Sequence, residues 1–494
     1  MKVKSKKLKV KNMNFIQWAF TFCLLPFSFA LVQAQEQPPE PTSPRAVKVP
    51  TITEGKLPNG MKIVVVQRNA VPLVTVNLLI NSGANIESKD GLADMTASLL
   101  TKGTKNRSAT AIAEQMEFLG SSINSGAGWN STNVSFTATS DKLDKAMAIM
   151  SDVVLNPTFP ADEIKLYKSQ TIDDLSVELK QPGRLANYVA ARYSFGEHSV
   201  AGTPETIEAI TQKEIQATYR DVYKPKSATL IFTGDINLTQ AIAIAKKYFG
   251  LWKNPVEPNK TMLGRPAVAE SANIPLFRRM LVVDLPKSGQ AAVIYTKKVE
   301  FGRSASDYFP ASVANSLLGG GYSSRLNQEI RIKRGLSYGA GSSFAWRSDN
   351  ANFSTRCQTK TVSAAEVAEL TVKEIQRLTG ESAPEVELTP RKNVLNGNFG
   401  RIFETNAGIS NAISELLTFG LPTTELNSFM SNTEKITPQQ VKEFSANNLR
   451  GGDIIIVGDY NDFKADLAKR FPNQQIEVIK ADDLDLNSET LRKK

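Results

Sequence analysis

The side chains that could hold a metal ion or act as a soft nucleophile are scarce in this 494-residue chain, which contains one His and two Cys. They are His198, Cys23 and Cys357. A catalytic zinc ion is usually bound by three protein side chains. Because His198 and Cys357 lie in different halves of the chain, they do not predict a zinc site. For His198 we expect a structural or surface role.

Two short motifs suggest other kinds of chemistry. The sequence GLSYG at residues 335–339 matches the G-x-S-x-G pattern around the nucleophilic Ser of α/β-hydrolases. Those enzymes need a His after that Ser, and in this chain the single His comes before it. The glycine run at residues 319–321 lacks the Lys-Ser/Thr pair that completes a phosphate-binding P-loop. The sequence therefore predicts neither a serine hydrolase nor a nucleotide site.

The elements that must position any site follow one order in both halves of the chain. In the first half, apolar patterning predicts strands at Lys62–Gln67, Val74–Ile80 and Thr132–Thr139. Helical spacing there predicts helices at Asp90–Leu100, at Ala109–Leu119 and from Asp141 onward. In the second half the predicted strands are Met280–Asp284, Ala292–Lys297, Ala340–Trp346 and Phe353–Gln358. The predicted helices there are Asp307–Leu318, Ser324–Lys333 and Ala364–Leu378.

The closing segments of the two halves match best. A helix leads to a short apolar strand that ends in Gly-Asp, at Leu230–Asp235 and again at Ile455–Asp459, about 224 residues later. Agreement over whole halves favours duplication over chance. We therefore predict an α+β protein with two tandem homologous domains, at residues 51–252 and 276–494, each with helices packed on a largely antiparallel sheet. The proline-containing residues 253–275 form the predicted linker.

The segment from Gly91 to Thr104 reads GLADMTASLLTKGT. It resembles the metal-binding helix of the M16 (insulinase, pitrilysin, mitochondrial processing peptidase) metallopeptidases, whose metal-bearing members read G-L-A-H-x-x-E-H-x-L-x-x-G-T. The resemblance extends over nearly the whole chain after residue 34 and implies two LuxS/MPP-like metallohydrolase domains. The positions that it implies for the degenerate metal motif are Asp94 at the first His, Ala97 at the Glu base, Ser98 at the second His and Asp174 near the distal carboxylate.

These replacements have a direct chemical consequence. Residues four apart share one face of a helix, so two His there can hold one zinc ion while the Glu between them activates a water molecule. A carboxylate at Asp94 and a hydroxyl at Ser98 are poor zinc ligands, and Ala97 cannot act as a base. We expect no metal and no other cofactor in this chain. The residues predicted to form the buried stripe of this helix are Leu92, Met95, Thr96, Leu99 and Leu100.

Residues 319–339 of the second half read GGGYSSRLNQEIRIKRGLSYG, which resembles the M16 string R-x-K-x-G-L-x-Y. The resemblance implies that Arg331 and Tyr338 orient a peptide and stabilise the oxyanion that forms on its scissile carbonyl. The alternative is that Arg331 is a helix-surface charge and Tyr338 a buried strand aromatic. The match at both positions favours the functional role. The resemblance also implies that the glycine loop helps to admit an extended peptide; its glycines are Gly319, Gly320 and Gly321.

The leading hypothesis is a non-catalytic or co-catalytic subunit of a zinc peptidase. In the small bacterial branch of the family, one chain can carry the zinc motif and a second chain the Arg/Tyr pair. The expected partner is therefore an H-x-x-E-H-bearing M16 chain that supplies zinc, as a heterodimer, with a homodimer as the other option. A scaffold or assembly protein without a role in proteolysis is the alternative, and an autonomous peptidase with unusual ligands is the weakest of the three. The peptide substrate is not identified by the sequence.

Residues 1–34 have the features of a bacterial signal peptide. Six Lys precede an apolar stretch from Phe15 to about Val32, and the sequence VQA favours cleavage after Ala34 over an uncleaved anchor. A proline-rich leader follows at residues 35–50. We expect a periplasmic protein, with release from the cell as the other destination, and no later membrane span. Six of the ten net positive charges lie in the signal peptide, so the charge does not indicate a nucleic-acid partner.

Overall fold

The computed structural model describes residues 47–254 and 275–493. The predicted signal peptide and residues 35–46 of the predicted leader lie outside the described residues, as do residues 255–274 of the predicted linker. The residues in these two described ranges belong to one compact unit. No helix in the two described ranges combines the length and the apolar character needed to cross a bilayer.

Residues 47–254 form six strands and eight α-helices. The strands are β1 (Ile52–Lys56), β2 (Lys62–Gln67), β3 (Leu73–Ile80), β4 (Ile123–Ala127), β5 (Thr132–Thr139) and β6 (Ala228–Gly234). The helices are α1 (Leu92–Leu99), α2 (Ala109–Phe118), α3 (Leu143–Leu155), α4 (Ala161–Glu178), α5 (Pro182–Tyr193), α6 (Pro204–Ala209), α7 (Gln212–Val222) and α8 (Leu238–Phe249).

Residues 275–493 form six strands, seven α-helices and one π-helix. The strands are β7 (Phe277–Asp284), β8 (Gln290–Val299), β9 (Ala340–Trp346), β10 (Ala351–Lys360), β11 (Gly452–Gly458) and β12 (Ile476–Lys480). The helices are α9 (Tyr308–Leu318), the π-helix (Asn327–Ile332), α10 (Ala364–Gly380), α11 (Glu385–Ile402), α12 (Asn406–Thr418), α13 (Phe429–Glu434), α14 (Pro438–Asn448) and α15 (Tyr460–Arg470).

The strands form two sheets of the same design. Their orders are β1-β2-β6-β3-β5-β4 and β12-β7-β11-β8-β10-β9, so five strands repeat in one order and one edge strand differs. Strand β1 is antiparallel to β2, whereas β12 is parallel to β7. The pairs β2–β6 and β7–β11 are parallel, and the remaining pairs are antiparallel. The predicted α+β fold with two duplicated, largely antiparallel sheets is confirmed.

Each sheet is covered on one face by helices of its own half and on the other by a helix from the opposite half. Side chains alternate between the two faces of a strand, and on β5 those of Val134, Phe136 and Ala138 point toward the helices and core of the first half. On the opposite face of each sheet the helix contact is apolar. The α5 residues that pack on the second sheet are Leu185, Ala186, Val189 and Ala190. The α12 residues that pack on the first sheet include Ile409, Ile413 and Leu416.

A buried carboxylate ties the segment after α1 to helix α3. Asp152 accepts hydrogen bonds from the Thr104 hydroxyl at 2.6 Å, from the amides of Asn106 and Asn156 at 2.6 and 2.9 Å, and from Arg107 at 2.6 Å. Burial alone would raise the pKa of Asp152, but these four donors outweigh it and hold the pKa below its ordinary value. The Asp152 cluster therefore fixes the chain that leaves α1.

We expect Asp152→Asn to lower the free energy of unfolding by about 2 kcal/mol at neutral pH, because Arg107 would lose its charged partner while remaining partly buried. The folded-state pKa lies below the unfolded-state value. The carboxylate therefore stabilises the protein fully above its ordinary pKa, and this contribution disappears as pH falls through the lower folded value. Urea denaturation of both proteins at neutral and acid pH measures the difference.

The matched control is Asp144→Asn, which removes an ion pair to Lys247 whose side chains are both more than half exposed. That change should alter the stability little, because solvent screens exposed pairs. An equal loss in the two variants would contradict the structural role of the Asp152 cluster.

Candidate functional site

Two residues, Gly91 and Glu87, fix the start of helix α1. Gly91 has φ of 89°, in the left-handed region, and a Cβ there would lie 2.7 Å from Ile207 Cδ1. The Glu87 carboxylate accepts the backbone N–H groups of Gly91 and Ala93 at 3.0 and 2.7 Å, and its Oε1 lies 2.6 Å from His198 Nε2. His198 thus holds the carboxylate that caps α1, which is a structural contact.

The buried stripe predicted for α1 is confirmed, since each of its five residues is at most 1% exposed. The helix is buried more widely than the stripe requires. Ala97, at the position of the family's Glu base, is also fully buried. Asp94 and Ser98, at the positions of the two His ligands, are by contrast partly exposed.

Asp94 is bound to the edge of the first sheet. Its Oδ1 accepts the N–H of Ala127, at the end of edge strand β4, at 3.0 Å. Burial raises the pKa of Asp94, the Ala127 hydrogen bond opposes the rise, and the charge of Glu87 adds to it. The carboxylate is thus engaged in a contact within the fold.

Ser98 lies close to a tyrosine. The Tyr167 phenol on α4 is near Ser98 and Thr171, and burial together with the Asp94 charge raises the pKa of Tyr167. Tyr223 is buried, and burial also raises its pKa, with a smaller contribution from Asp94. Two un-ionised phenols therefore lie near Asp94.

Asp174 lies on α4, two turns beyond Tyr167, and is exposed. The two described ranges contain no group of three or more His, Cys, Asp or Glu side chains that could hold a metal ion. Asp94 Oδ1 accepts a hydrogen bond from Ala127, Ser98 offers only a hydroxyl, and Ala97 offers no ligand atom. The residues present do not fit the zinc ion that the fold family implies.

Cys357 lies on β10 in the core of the second half, whereas His198 contacts the carboxylate that caps α1 of the first half. Burial raises the pKa of the Cys357 thiol to about 11, so it is un-ionised at neutral pH.

The Ser337 hydroxyl of the GLSYG motif donates to the carbonyl oxygens of Gln358 and Gly339 at 2.6 and 2.8 Å. This serine closes a turn.

The glycine loop packs against an edge strand. A Cβ on Gly319 would lie 2.2 Å from Ser342 N, and a Cβ on Gly320 would lie 2.6 Å from Ser316 Cα. The Ser342 N–H on edge strand β9 donates to the Gly319 carbonyl at 3.2 Å. Around a Cβ on Gly321, only Arg391 Nη1 comes within 4 Å among the described atoms. Because Gly319 and Gly320 have no side chains, the glycine loop can pack closely against its neighbours. The Gly319 carbonyl already pairs with one N–H group of edge strand β9.

The helix predicted at Ser324–Lys333 is present, but it is wound as a π-helix over Asn327–Ile332. Lys333 N donates to Gln328 O, five residues back, at 2.9 Å. The Asn327 side chain, at the start of the wide turn, donates to the Tyr322 carbonyl and accepts the N–H of Ala340. Periodicity alone does not distinguish this winding from an α-helix. Short π-helical turns are frequent at functional sites.

Arg331 and Tyr338 are both exposed to solvent. The Arg331 guanidinium lies 4.9 Å from the centroid of the Tyr322 ring, on which it stacks. Tyr338 is 95% exposed and precedes β9 rather than lying within it. This excludes the alternative in which Tyr338 is a buried strand aromatic. The segment between Gly335 and Gly339 also borders a cavity of about 850 Å³ whose opposite wall is the start of α5.

The sequence patterns did not predict α4 and α5, nor therefore the residues that these helices bring to the site. Tyr167 lies close to Ser98, and α5 faces Tyr338 across the cavity. A signal for α5 was available, because Pro182 at the first helical position precedes apolar residues at helical spacing. No comparable signal identified Tyr167, whose role depends on the packing of α4 against α1.

We expect Asp94→Asn to raise the stability at neutral pH, because it keeps the acceptor for Ala127 and removes a partly buried charge. A raised folded-state pKa means that wild-type stability falls as pH rises from the unfolded-state pKa through the folded-state value. The gain should therefore be present at neutral pH and absent in acid, where Asp94 is protonated. Urea midpoints across this pH range measure it, and a loss of stability at neutral pH would contradict the assignment.

Two protein-family models match this chain. Residues 62–193 match the model described as Insulinase (Peptidase family M16), and residues 209–395 match the model described as Peptidase M16 inactive domain. The two matches together cover more than half of the chain.

An uncharacterized zinc protease of Mycobacterium tuberculosis strain H37Rv is 26% identical over 368 residues, which are 72% of this chain and 81% of that protein. An uncharacterized zinc protease of Streptomyces coelicolor is 22% identical over 426 residues, 84% of this chain and 91% of that protein.

Solved structures share the fold. The crystal structure of a peptidase M16 inactive domain from Pseudomonas fluorescens has a TM-score of 0.73 and 24% identity, covering 83% of this chain and 98% of that one. A protease from Helicobacter pylori has a TM-score of 0.75 and 19% identity, covering 83% of this chain and 100% of that one. With two matched family models and two duplicated sheets, the chain belongs to the M16 (insulinase) family of peptidases.

Proposed function

We propose that this protein is the non-catalytic or co-catalytic subunit of a periplasmic M16-type zinc peptidase. It binds the peptide substrate and presents Arg331 and Tyr338 to the zinc site of a partner chain. The partner carries the H-x-x-E-H motif and supplies the zinc ion with its base, which together activate the attacking water. The relatives described as zinc proteases support the reaction class.

The exposure of Tyr338 is the observation that carries the proposal. A phenol that is 95% exposed contributes almost nothing to the core, and it has no side-chain hydrogen bond among the described residues. Arg331 is also exposed, and its stacking on Tyr322 restricts the guanidinium to fewer orientations. Both side chains are therefore free to contact a peptide or a second chain without loss of stability to this one.

The chemistry of the pair suits a developing negative charge. A guanidinium is permanently charged and donates several hydrogen bonds from a planar group, and a phenol donates one. Donors aimed at the oxyanion of the transition state lower the barrier to peptide hydrolysis. The first half supports the same division of labour, because Asp94 accepts a hydrogen bond from Ala127 and Ala97 cannot act as a base.

We expect Arg331→Ala to lower kcat of the complex with the zinc-bearing partner by about 100-fold, the scale reported for the loss of one oxyanion donor. Tyr338→Phe, which removes only the hydroxyl, should lower kcat in the same direction. Neither change should weaken assembly of the complex, since neither residue supports the core. Steady-state peptide hydrolysis and analytical ultracentrifugation measure the two properties.

The matched control is Arg334→Ala, three residues from Arg331, which removes a cation that is already paired internally with Glu329 at 2.6 Å. It should leave kcat unchanged. The protein purified alone sets the baseline, with no stoichiometric zinc and no cleavage of peptide. Chelator-sensitive cleavage by the lone chain, or a complex indifferent to both Arg331→Ala and Tyr338→Phe, would contradict the proposal.

A further inference from the structure

Duplication has produced two equivalent cavities, one at the start of each exchanged helix. The first cavity, of about 740 Å³, lies between the start of α12 and strands β3 and β5. The second, of about 850 Å³, lies between the start of α5 and strands β8 and β10, beside Tyr338. Both volumes are in the range of ligand pockets. Since fold and topology are shared, any difference in lining reflects the individual sequence.

The two cavities differ in charge. Of the residues that line the first, Glu117 is charged and none is Lys or Arg. The second is lined by Arg184, Arg356 and Lys360 and by no carboxylate. Strand register shows which residues of the two cavities are equivalent. Lys360 pairs with Gln290 in the second sheet at the place where Thr139 pairs with Leu73 in the first. A cation therefore stands in the second cavity where the first has a hydroxyl.

The cations of the second cavity are weakly compensated within the protein. The nearest carboxylate to Arg184 is Glu178 at 3.8 Å, and both side chains are exposed. Arg356 donates to the Ser343 hydroxyl at 3.1 Å and forms no ion pair among the described residues. Lys360 forms none in those ranges either. Helix α5 adds to the positive potential, because it opens on the cavity without an acidic residue in its first turn.

Four amide side chains share the cavity wall with these cations, and none of them has a side-chain hydrogen-bond partner among the described residues. They are Gln181, Asn187, Gln290 and Gln358. An amide side chain donates and accepts, as does a peptide backbone. The wall therefore combines groups that can bind backbone with groups that can bind carboxylates, directly beside the exposed Tyr338.

We propose that the second cavity binds an acidic segment of an extended peptide and so selects the substrate that Tyr338 and Arg331 meet. This inference rests on the proposed function and adds the substrate class. The guanidinium groups of Arg184 and Arg356 and the ammonium group of Lys360 pair with Asp or Glu side chains, and the four amides bind the backbone between them. A single-stranded nucleic acid fits less well, because its binding depends on a series of aromatic platforms, and Tyr338 is the one aromatic residue in this lining.

The test measures binding to the purified chain without any partner. A fluorescent glutamate-rich peptide should bind, its glutamine counterpart should bind about tenfold more weakly, and added salt should reduce the difference. The variant Arg184→Gln/Arg356→Gln/Lys360→Gln should bind the acidic peptide about tenfold more weakly than wild type does. Its three positions are exposed, so a thermal melt should show an unchanged fold.

The matched control is Lys105→Gln/Lys213→Gln/Arg220→Gln, which removes three exposed cations that line neither cavity and should leave binding unchanged. Equal affinity for the two peptides, no measurable binding of the acidic peptide, an equal loss in the control, or preferential binding of single-stranded DNA would overturn the inference. If the chain does not select the acidic peptide but Arg331→Ala still lowers the activity of the complex, this inference is wrong and the proposed function is retained. If the chain selects the acidic peptide but Arg331→Ala leaves the activity of the complex unchanged, the proposed function is wrong instead.

Discussion

The reciprocal packing of α5 on the second sheet and α12 on the first is the constraint on which the rest of the structure depends. Each helix buries an apolar face on strands that the other half provides, so neither sheet is covered on both faces without the opposite half. Removing several buried aliphatic side chains from water at each contact supplies the free energy that holds the halves together. The same packing creates the two cavities and sets the start of α5 opposite Tyr338.

The two halves differ in their polar side chains on this common frame. In the first half, Asp94 accepts a hydrogen bond from the end of edge strand β4, and Ser98 lies close to Tyr167. In the second half, Arg331 on the π-helix and Tyr338 before β9 are exposed. The proposed function assigns these exposed donors to a site that another molecule completes.

Much of this fold could be predicted from local patterns because the strands and helices around α1 and β9 obey simple periodicities. The stripe on α1 and the repeated Gly-Asp strands are such cases, and the structure confirms them. The exchange of α5 and α12 could not be predicted in this way, because their apolar faces show that they are buried but not which sheet covers them. The Asn327 side chain beside the π-winding of Asn327–Ile332 donates to the Tyr322 carbonyl and accepts the N–H of Ala340, contacts that periodicity does not show. Tyr167 comes near Ser98 only through tertiary packing.

Under the proposed function, the exposed Arg/Tyr segment contacts the peptide that the zinc-bearing partner cleaves. The most direct measurement places a photo-reactive benzoylphenylalanine at residue 338 and, as the matched control, at the exposed position 386 on α11. On illumination with labelled peptide, we expect cross-linking from position 338 in the complex with the partner and little from position 386. Equal cross-linking from the two positions, or none from position 338 in an active complex, would contradict it.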